Sequence, residues 1–385
     1  MFDKNYKIDD LMEIDNQYIL HTYERKKIRF AYGDGSKLYT PCSKQFIDFG
    51  SGIGENILGY GNPKFVKGIS EQARDLISLS NYYLVEPQAL LAKKILELSG
   101  FDARIFFGNS GEDANRCAIR IAKKFGDKDR DKIIVLGNQF YDRIMGENDF
   151  VSEYFICAQD IDDIYSLVDH KTCAIFMEFS EDGVEFLRTH MVQITHLADF
   201  LKKKKILFMV DENQSGVYRS GEIFVSSLYG LMPDVLTISG GLGGGVPIGA
   251  TICSLKDIFT HGDYENVFGG NFLSSRAGLL VFEALEEEHK SGNLERTIDL
   301  FNIQLDKILK NFSNLFEKKV GVGLMLSLVI KDEKNQKNII ESAFEEQLLI
   351  LKGDKDRIRF LPALNISIDE INEGFERLHK ACEKL

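Results

Sequence analysis

Polar side chains and glycines follow three of the apolar segments in this sequence. These stretches are Gly108-Asn-Ser-Gly at the start of a helical pattern, Asn138-Gln-Phe-Tyr-Asp-Arg, and a segment that begins Asp211-Glu. Ligands of α/β proteins collect at the carboxyl ends of the strands, so the three stretches are candidates for one site. The free N–H groups and positive dipole end of the helix after Gly108 suit a phosphate. On residue type alone, Asp211 and Glu212 are equally consistent with a helix cap or a surface acid.

A fourth stretch, from Pro233 to Ala250, joins a short apolar strand to a loop that is dense in glycine. The strand is Asp234-Val-Leu-Thr-Ile, and the glycines that follow require either a sharp turn or close passage of the backbone past another group. A flexible loop or a tight strand-to-strand turn explains such a pattern without any function.

The elements that would position these residues predict an α/β fold. Helical patterns lie between several of the apolar strands, as a mostly parallel sheet covered on both faces requires. The predicted strands are 103–107, 132–136, 173–177, 206–210, 235–238 and 250–253.

We expect three regions along the chain. Residues 1–49 form an N-terminal arm, irregular except for a hairpin at 29–39, and residues 50–285 form the large α/β domain. Residues 286–385 form a smaller C-terminal α+β domain with strands at 324–330 and 357–361 and a closing helix from 368.

The composition disfavours a nucleic-acid-binding, exported or membrane-spanning protein. The chain has 385 residues and a net charge of −12, from 59 acidic and 47 basic side chains, which disfavours nucleic acid as a partner. Neither a signal peptide nor a membrane span is expected. Six scattered cysteines predict reduced thiols in a cytoplasmic protein, and the seven histidines show no metal-ligand spacing.

Several motifs, in the right order from about residue 40 to the C-terminus, resemble the class-III pyridoxal-phosphate aminotransferases of the acetylornithine and ornithine group. The most specific is Asp211-Glu-Asn-Gln-Ser-Gly-Val-Tyr-Arg-Ser-Gly, and Arg357-Ile-Arg-Phe-Leu-Pro is similar to the family's segment near the C-terminus. Ile47-Asp-Phe-Gly-Ser-Gly-Ile-Gly-Glu-Asn resembles the entry segment D-F-x-x-G-I-G-V-N. The resemblance implies the aminotransferase fold of type I pyridoxal-phosphate enzymes.

The same resemblance implies residue roles. Asp211 would pair with the ring nitrogen of the cofactor, and Gln214 would contact its ring hydroxyl. The implied cofactor-binding residues are Ser110, Gly111, Phe140, Tyr141, Asp211 and Gln214. The implied substrate-binding residues are Tyr82, Arg143 and Arg359.

The sequence departs from the family at the cofactor. The stretch from Pro233 to Ala250 resembles the family's lysine-bearing segment, and the resemblance places Gly240 at the position of the Schiff-base lysine, so no catalytic residue is assigned. Glu112 replaces a small hydroxyl residue in the phosphate cup, and Val267 replaces a threonine that reaches the phosphate across the dimer interface. Several losses at one ligand favour natural divergence over a single introduced substitution.

Three hypotheses follow for function. The first is a pseudoenzyme that serves as a binding, regulatory or partner subunit, and the second is an enzyme of altered chemistry. Such an enzyme would bind pyridoxal phosphate without a covalent bond, or it would bind another ligand. That other ligand could be a cation, because Glu112, Asp142, Asp211 and Glu212 would give the cleft an acidic lining. The third hypothesis is an active transaminase that uses another lysine to bind the cofactor.

We therefore expect either no cofactor or pyridoxal phosphate that is bound weakly and without a covalent bond. Partners are a small-molecule ligand in the cleft and a second copy of the chain, since the resemblance implies a homodimer. A heteromer with an active relative is the alternative.

Overall fold

The computed structural model describes residues 6–127, 129–147, 154–354 and 356–385. The helices are α1 (Ile8–Tyr18), α2 (Pro63–Asp75), α3 (Glu86–Ser99), α4 (Gly111–Gly126), α5 (Asn138–Glu147), α6 (Ile161–Leu167), α7 (Glu181–Thr189), α8 (Met191–Lys204), α9 (Val225–Leu228), α10 (Phe272–Lys290), α11 (Asn293–Asn311), α12 (Asn335–Glu345) and α13 (Ile368–Glu383). The strands are β1 (Tyr32–Asp34), β2 (Lys37–Tyr39), β3 (Gln45–Asp48), β4 (Arg104–Gly108), β5 (Lys132–Leu136), β6 (Phe155–Ala158), β7 (Thr172–Glu178), β8 (Leu207–Asp211), β9 (Val235–Ile238), β10 (Gly249–Cys253), β11 (Phe316–Val322), β12 (Met325–Ile330), β13 (Leu348–Leu349), β14 (Leu351–Lys352) and β15 (Arg357–Phe360).

A seven-stranded sheet in the order β4-β10-β9-β8-β7-β5-β6 forms the centre of the fold. The pairs from β6 through β5, β7, β8 and β9 are parallel, and β10 is antiparallel to both of its neighbours. All residues of β8, β9 and β10 are buried, as expected of strands covered on both faces. The predicted mostly parallel sheet is confirmed, and β6 is a strand that we did not predict.

Helix α4 connects β4 to the rest of the sheet and begins at the candidate site. Its start is fixed by the Ser110 hydroxyl, which accepts a hydrogen bond from the Asp113 N–H at 3.2 Å. One face of this helix is buried, with Cys117, Ala118 and Ile121 in the core. The sheet therefore holds the N-terminus of α4 rigidly beside the carboxyl ends of β8 and β9.

Two further four-stranded sheets flank this core, in the orders β1-β2-β3-β13 and β11-β12-β15-β14. The predicted hairpin is present as β1 and β2, but α1 shows that the N-terminal arm is less irregular than expected. Strand β13 pairs in parallel with β3, which joins the arm to the C-terminal region. The division at residues 49 and 285 stays a prediction.

Three findings bear on the expectations from composition. Among the residues described, no helix is both long and apolar enough to cross a membrane. The same residues contain no group of three or more histidine, cysteine, aspartate or glutamate side chains that could hold a metal ion. All six cysteines are free thiols.

Candidate functional site

A cavity of about 340 Å³ lies where the carboxyl ends of β8 and β9 meet the start of α4. The residues that line it come from five separate segments of the chain. They are Gly52, Ile53, Gly54, Glu55, Gly111, Asn213, Gln214, Ser239, Gly240, Arg359 and Leu361. The structure thus brings together Gly111, Gln214 and Arg359, three of the predicted site residues, with Gly240 between them.

One wall of the cavity is backed by a buried polar network around Asp211. The Asn115 side-chain amide donates to one Asp211 carboxylate oxygen at 2.8 Å, and the Asn213 backbone N–H donates to the other at 2.7 Å. The Thr237 hydroxyl donates to Asn115 Oδ1 at 2.8 Å. Burial raises the pKa of Asp211 despite these donors. Both carboxylate oxygens of Asp211 are therefore used inside the protein.

Asn213 fills the space between the start of α4 and the loop after β9. Its Nδ2 donates to Asn115 Oδ1 at 3.2 Å and to the Gly111 carbonyl at 3.4 Å. A Cβ added to Gly111 would lie 2.8 Å from Asn213 Cγ, so α4 can approach this closely only because it begins with glycine. We call Gly111, Asn115, Asp211, Asn213 and Gly240 the closed wall.

Gly240 completes the closed wall through its backbone. Its N–H donates to the Asn213 carbonyl oxygen at 2.6 Å, and an added Cβ would lie 2.5 Å from that same oxygen. Real Cβ atoms do not approach a carbonyl oxygen so closely, so a side chain here requires the backbone to move. The dense glycines of 233–250 are thus explained in part by close backbone approach, one of the two expectations from the sequence.

The opposite wall is charged and more open. Arg359 donates to Gln214 Oε1 at 2.7 Å, and Glu55, which is exposed at the mouth of the cavity, accepts a hydrogen bond from the Gly241 N–H at 3.3 Å. We call Glu55, Gln214 and Arg359 the open wall. Glu55 was not predicted as a site residue, although a carboxylate within a run of glycines was a usable signal.

A fully buried arginine lies behind the open wall. Arg219 donates to the carbonyl oxygens of Gly54 at 3.2 Å and Leu324 at 3.4 Å, and also to that of Pro362. Burial, with a further contribution from the nearby Arg359, lowers the pKa of Arg219 to about 9. Arg219 therefore fixes the loop that carries Glu55 and adds positive charge near Arg359.

The predicted acidic lining is wrong, because none of its four members lines the cavity. Glu112 is half exposed and pairs with Arg116 one helical turn away at 2.7 Å, and Asp142 is exposed. The Asp211 carboxylate accepts hydrogen bonds from Asn115 and Asn213 instead. Glu212 is buried, and its carboxylate accepts from the backbone and hydroxyl of Ser226 and from the Val225 N–H. The acid that does line the cavity is Glu55.

The aromatic pair at 140–141 lies outside the cavity lining. Phe140 is buried in the core with its ring 4.9 Å from that of Phe176, and Tyr141 packs against the same cluster. Ser110 caps α4 as described. The cofactor-binding roles of these residues stay predictions.

Arg143 and Tyr82 are also outside the lining. Arg143 forms a two-pronged ion pair with Glu178, with both N–O distances 2.7 Å. Burial raises the pKa of Glu178, and Arg143 opposes that shift. The Tyr82 side chain is 84% exposed, and its hydroxyl lies 3.4 Å from Glu265 Oε1. Their substrate-binding roles stay predictions.

Comparison with known families agrees with this fold and motif order. The model of the class-III aminotransferases matches residues 20–148 and 143–382, which is nearly the whole chain. The chain belongs to the class-III aminotransferase family. This family depends on pyridoxal phosphate.

Related proteins match this chain along nearly their full lengths. The chain is 43% identical to an acetylornithine aminotransferase of Wolinella succinogenes, covering 96% of this chain and 98% of that one. The structure of an N-acetylornithine aminotransferase of Stenotrophomonas maltophilia superposes with a TM-score of 0.80 at 26% identity, covering 97% and 98%. An ornithine aminotransferase of Toxoplasma gondii, in a crystal structure that reports partial occupancy of pyridoxal phosphate at its active site, superposes with a TM-score of 0.87 at 22% identity, covering 98% and 95%. The predicted aminotransferase fold is confirmed.

Proposed function

We propose that this protein keeps the aminotransferase fold but cannot transaminate through a lysine of its own cleft, and that it acts as a ligand-binding or partner subunit. The observation that carries the proposal is Gly240. It stands at the lysine position of the family motif, it lines the cavity, and its backbone contact with Asn213 leaves no space for a Cβ. No lysine is among the residues that line the cavity in the described part of the chain.

The residues present do not suit covalently bound pyridoxal phosphate. A Schiff base needs an amine, which Gly240 lacks. Val267 stands where the family motif has a threonine, and its side chain has no donor for a phosphate. These residues do not fit a covalently held cofactor.

The alternative is an enzyme of altered chemistry that binds pyridoxal phosphate non-covalently or takes another ligand. The observation that favours it is the open wall, where Gln214 and Arg359 keep the residue types of the family motifs and face one cavity. Such a wall would be retained if a small charged molecule still binds there.

A dimer is part of the same proposal. Two adjacent loops expose large apolar side chains, with Leu84 85%, Val267 77% and Phe268 60% exposed. The loops are joined by the Asn81 side-chain amide, which donates to the Asn266 and Gly269 carbonyls at 3.1 and 3.0 Å. An apolar surface of this kind favours a second subunit, either another copy of this chain or an active relative. We also assign the protein to the cytoplasm, where its free thiols would stay reduced.

The dimer is tested by sedimentation of wild type, Leu84→Asp and the matched variant Val192→Asp, whose native side chain is exposed on α8. We expect Leu84→Asp alone to shift a dimer towards monomer. A wild-type monomer, or a dimer that survives Leu84→Asp, would contradict this surface.

The function is tested by adding pyridoxal phosphate, an amino donor and 2-oxoglutarate, and measuring the visible spectrum and the glutamate formed. We expect neither an internal aldimine band nor turnover, whereas a class-III relative with the lysine shows both under the same conditions. Saturable binding of the cofactor without turnover would favour the alternative.

A further inference from the structure

A second cavity, of about 420 Å³, lies at the opposite end of the central sheet from the candidate site. The residues that line it are Arg130, Val168, Asp169, His170, Lys204 and Ile206. They come from the segments directly before β5, β7 and β8, which are parallel neighbours in the sheet. The cavity therefore lies at the amino ends of these strands. The seven residues of β7 span about 20 Å, so the two cavities are separate.

Arg130 brings a positive charge to this cavity that is held in place by the backbone. Its Nε and Nη2 both donate to the Thr172 carbonyl oxygen, at 3.1 and 2.5 Å, which fixes the side chain against the start of β7. No carboxylate forms an ion pair with Arg130 among the residues that the structure describes. A guanidinium has five N–H donors, so donors remain for an anion in the cavity.

The acid in the lining, Asp169, is already neutralised. Its Oδ2 pairs with Lys132 Nζ at 2.8 Å. The hydrogen bond from Lys132, with smaller contributions from other donors, lowers the pKa of Asp169 to about 2. Asp129 and Asp131, the acids beside Arg130 in the sequence, are not among the described residues that line the cavity. The lining therefore keeps the positive charge of Arg130.

Lys204 supplies a second positive charge from the last turn of α8. Its Nζ lies 5.9 Å from the centre of the Phe200 ring, and within the described part of the chain no carboxylate pairs with it. Lysines in a last helical turn also interact favourably with the negative end of the helix dipole, which is sufficient to explain Lys202 and Lys203. Unlike those two, Lys204 lines the cavity.

The rest of the lining indicates what kind of anion fits. Val168 and Ile206 add apolar surface, and His170 adds a ring that can donate a hydrogen bond. A guanidinium matches the planar fork of a carboxylate, and two cations on separate segments suit two separate negative groups. Apolar surface in the same lining suits a short hydrocarbon link between them.

We propose that this cavity binds a small organic dicarboxylate, with one carboxylate on Arg130 and the other on Lys204. The hydrocarbon part of the ligand lies against Val168 and Ile206. The volume of the cavity is within the range of small-ligand sites. The site shares no residue with the candidate cleft, so it is independent of what that cleft binds.

The first test uses the wild-type protein and three probes in calorimetry at low ionic strength. Succinate is compared with butanoate, in which a methyl group replaces one carboxylate, and with inorganic phosphate, which has no apolar part. We expect succinate to bind at least about tenfold more tightly than either, because each of them loses one charged contact. No binding of succinate, or binding of butanoate or phosphate as tight as that of succinate, would overturn the proposal.

The second test places the binding in this cavity by substitution. Arg130→Gln should weaken succinate about tenfold, and Lys204→Gln about threefold because its side chain is exposed. The matched control is Lys203→Gln, which removes the same charge from the same helix end without touching the lining, and it should leave the affinity unchanged. An equal loss in Lys203→Gln and Lys204→Gln would assign the binding to the general charge of this surface.

Two further measurements keep the result decisive. The melting temperature of each variant is measured first, and if Arg130→Gln does not fold, the comparison of Lys204→Gln with Lys203→Gln decides. Succinate is also titrated into Arg359→Gln, because Arg359 is a cation of the candidate cleft. We expect binding to persist in Arg359→Gln and to be lost in Arg130→Gln. The opposite pattern would place succinate in the candidate cleft and overturn the proposal.

Discussion

The two walls of the cavity differ in how their polar groups are used. In the closed wall, Asp211, Asn115 and the backbones of Asn213 and Gly240 bond to one another. In the open wall, Glu55 and Arg359 are charged groups at the surface of the cavity. Under the proposed function, the closed wall, which would hold a cofactor in the family, is structural in this protein, while the open wall binds the ligand. Substitutions in the closed wall should therefore affect stability, and substitutions in the open wall should affect binding.

The largest effect is expected for Asp211→Ala. This change leaves the Asn115 amide and the Asn213 N–H without their acceptor in a buried place. We expect a loss of about 3–4 kcal/mol in the free energy of unfolding, measured by urea denaturation. The control is Asp299→Ala, an exposed aspartate of α11, which should change it by less than about 0.5 kcal/mol. A loss for Asp211→Ala no greater than the control would mean that the closed wall is not structural.

The next effect is expected at Gly240. Gly240→Ala forces a Cβ against the Asn213 carbonyl oxygen, and we expect it to lower the free energy of unfolding by about 2–3 kcal/mol. Gly240→Lys should lose a similar amount and gain no transaminase activity, because Val267 still has no donor for the phosphate. Turnover by Gly240→Lys, or full stability of Gly240→Ala, would show that this wall accepts a side chain after all.

Glu212, the buried neighbour of Asp211, should give the protein a pH-dependent stability. Burial raises the pKa of Glu212 from 4.5 to about 7 in the folded protein. A raised pKa means that the folded state holds the proton more tightly, so this contribution is complete below pH 4.5 and is lost as the pH rises to about 7.

Wild type should therefore lose on the order of 2 kcal/mol more than Glu212→Gln across that window, in urea titrations at a series of pH values. Asp211 and Glu178 shift in the same direction, so the difference between the two proteins is the quantity that isolates Glu212. Parallel pH profiles of the two proteins would exclude this role.

The smallest effect on stability is expected in the open wall. Arg359→Gln removes the charge of a partly exposed side chain and its hydrogen bond to Gln214, and it should change the free energy of unfolding by less than about 1 kcal/mol. A stability loss as large as that of Asp211→Ala would remove the distinction between the walls.

Most of the central sheet was predictable because its strands are continuous apolar runs that end in polar or glycine residues. Strand β11 was missed because Glu317, Lys318 and Lys319 interrupt its apolar pattern at a sheet edge. Helix α1 was missed because it buries no residue within the described part of the chain, so its sequence carries no strong apolar stripe.

The site was predictable at the positions where backbone geometry fixes the side chain. Gly111, Gln214 and Arg359 follow strands or lie on one, and they meet as expected. The acidic lining failed because the sequence does not show that Glu212 turns inward to the amides of α9. Nor does it show that Glu112 has Arg116 as a partner one turn along the helix. Motif spacing places a residue on an element, but the partner that its side chain finds depends on packing.

We expect that no lysine of this cleft holds pyridoxal phosphate. The most direct measurement is mass spectrometry after incubation with pyridoxal phosphate and reduction with borohydride, with peptide mapping and a class-III relative as the positive control. We predict no stoichiometric adduct on any lysine of the cleft, while the relative is labelled at its motif lysine. A single, fully occupied phosphopyridoxyl-lysine in the cleft of this protein would contradict the account.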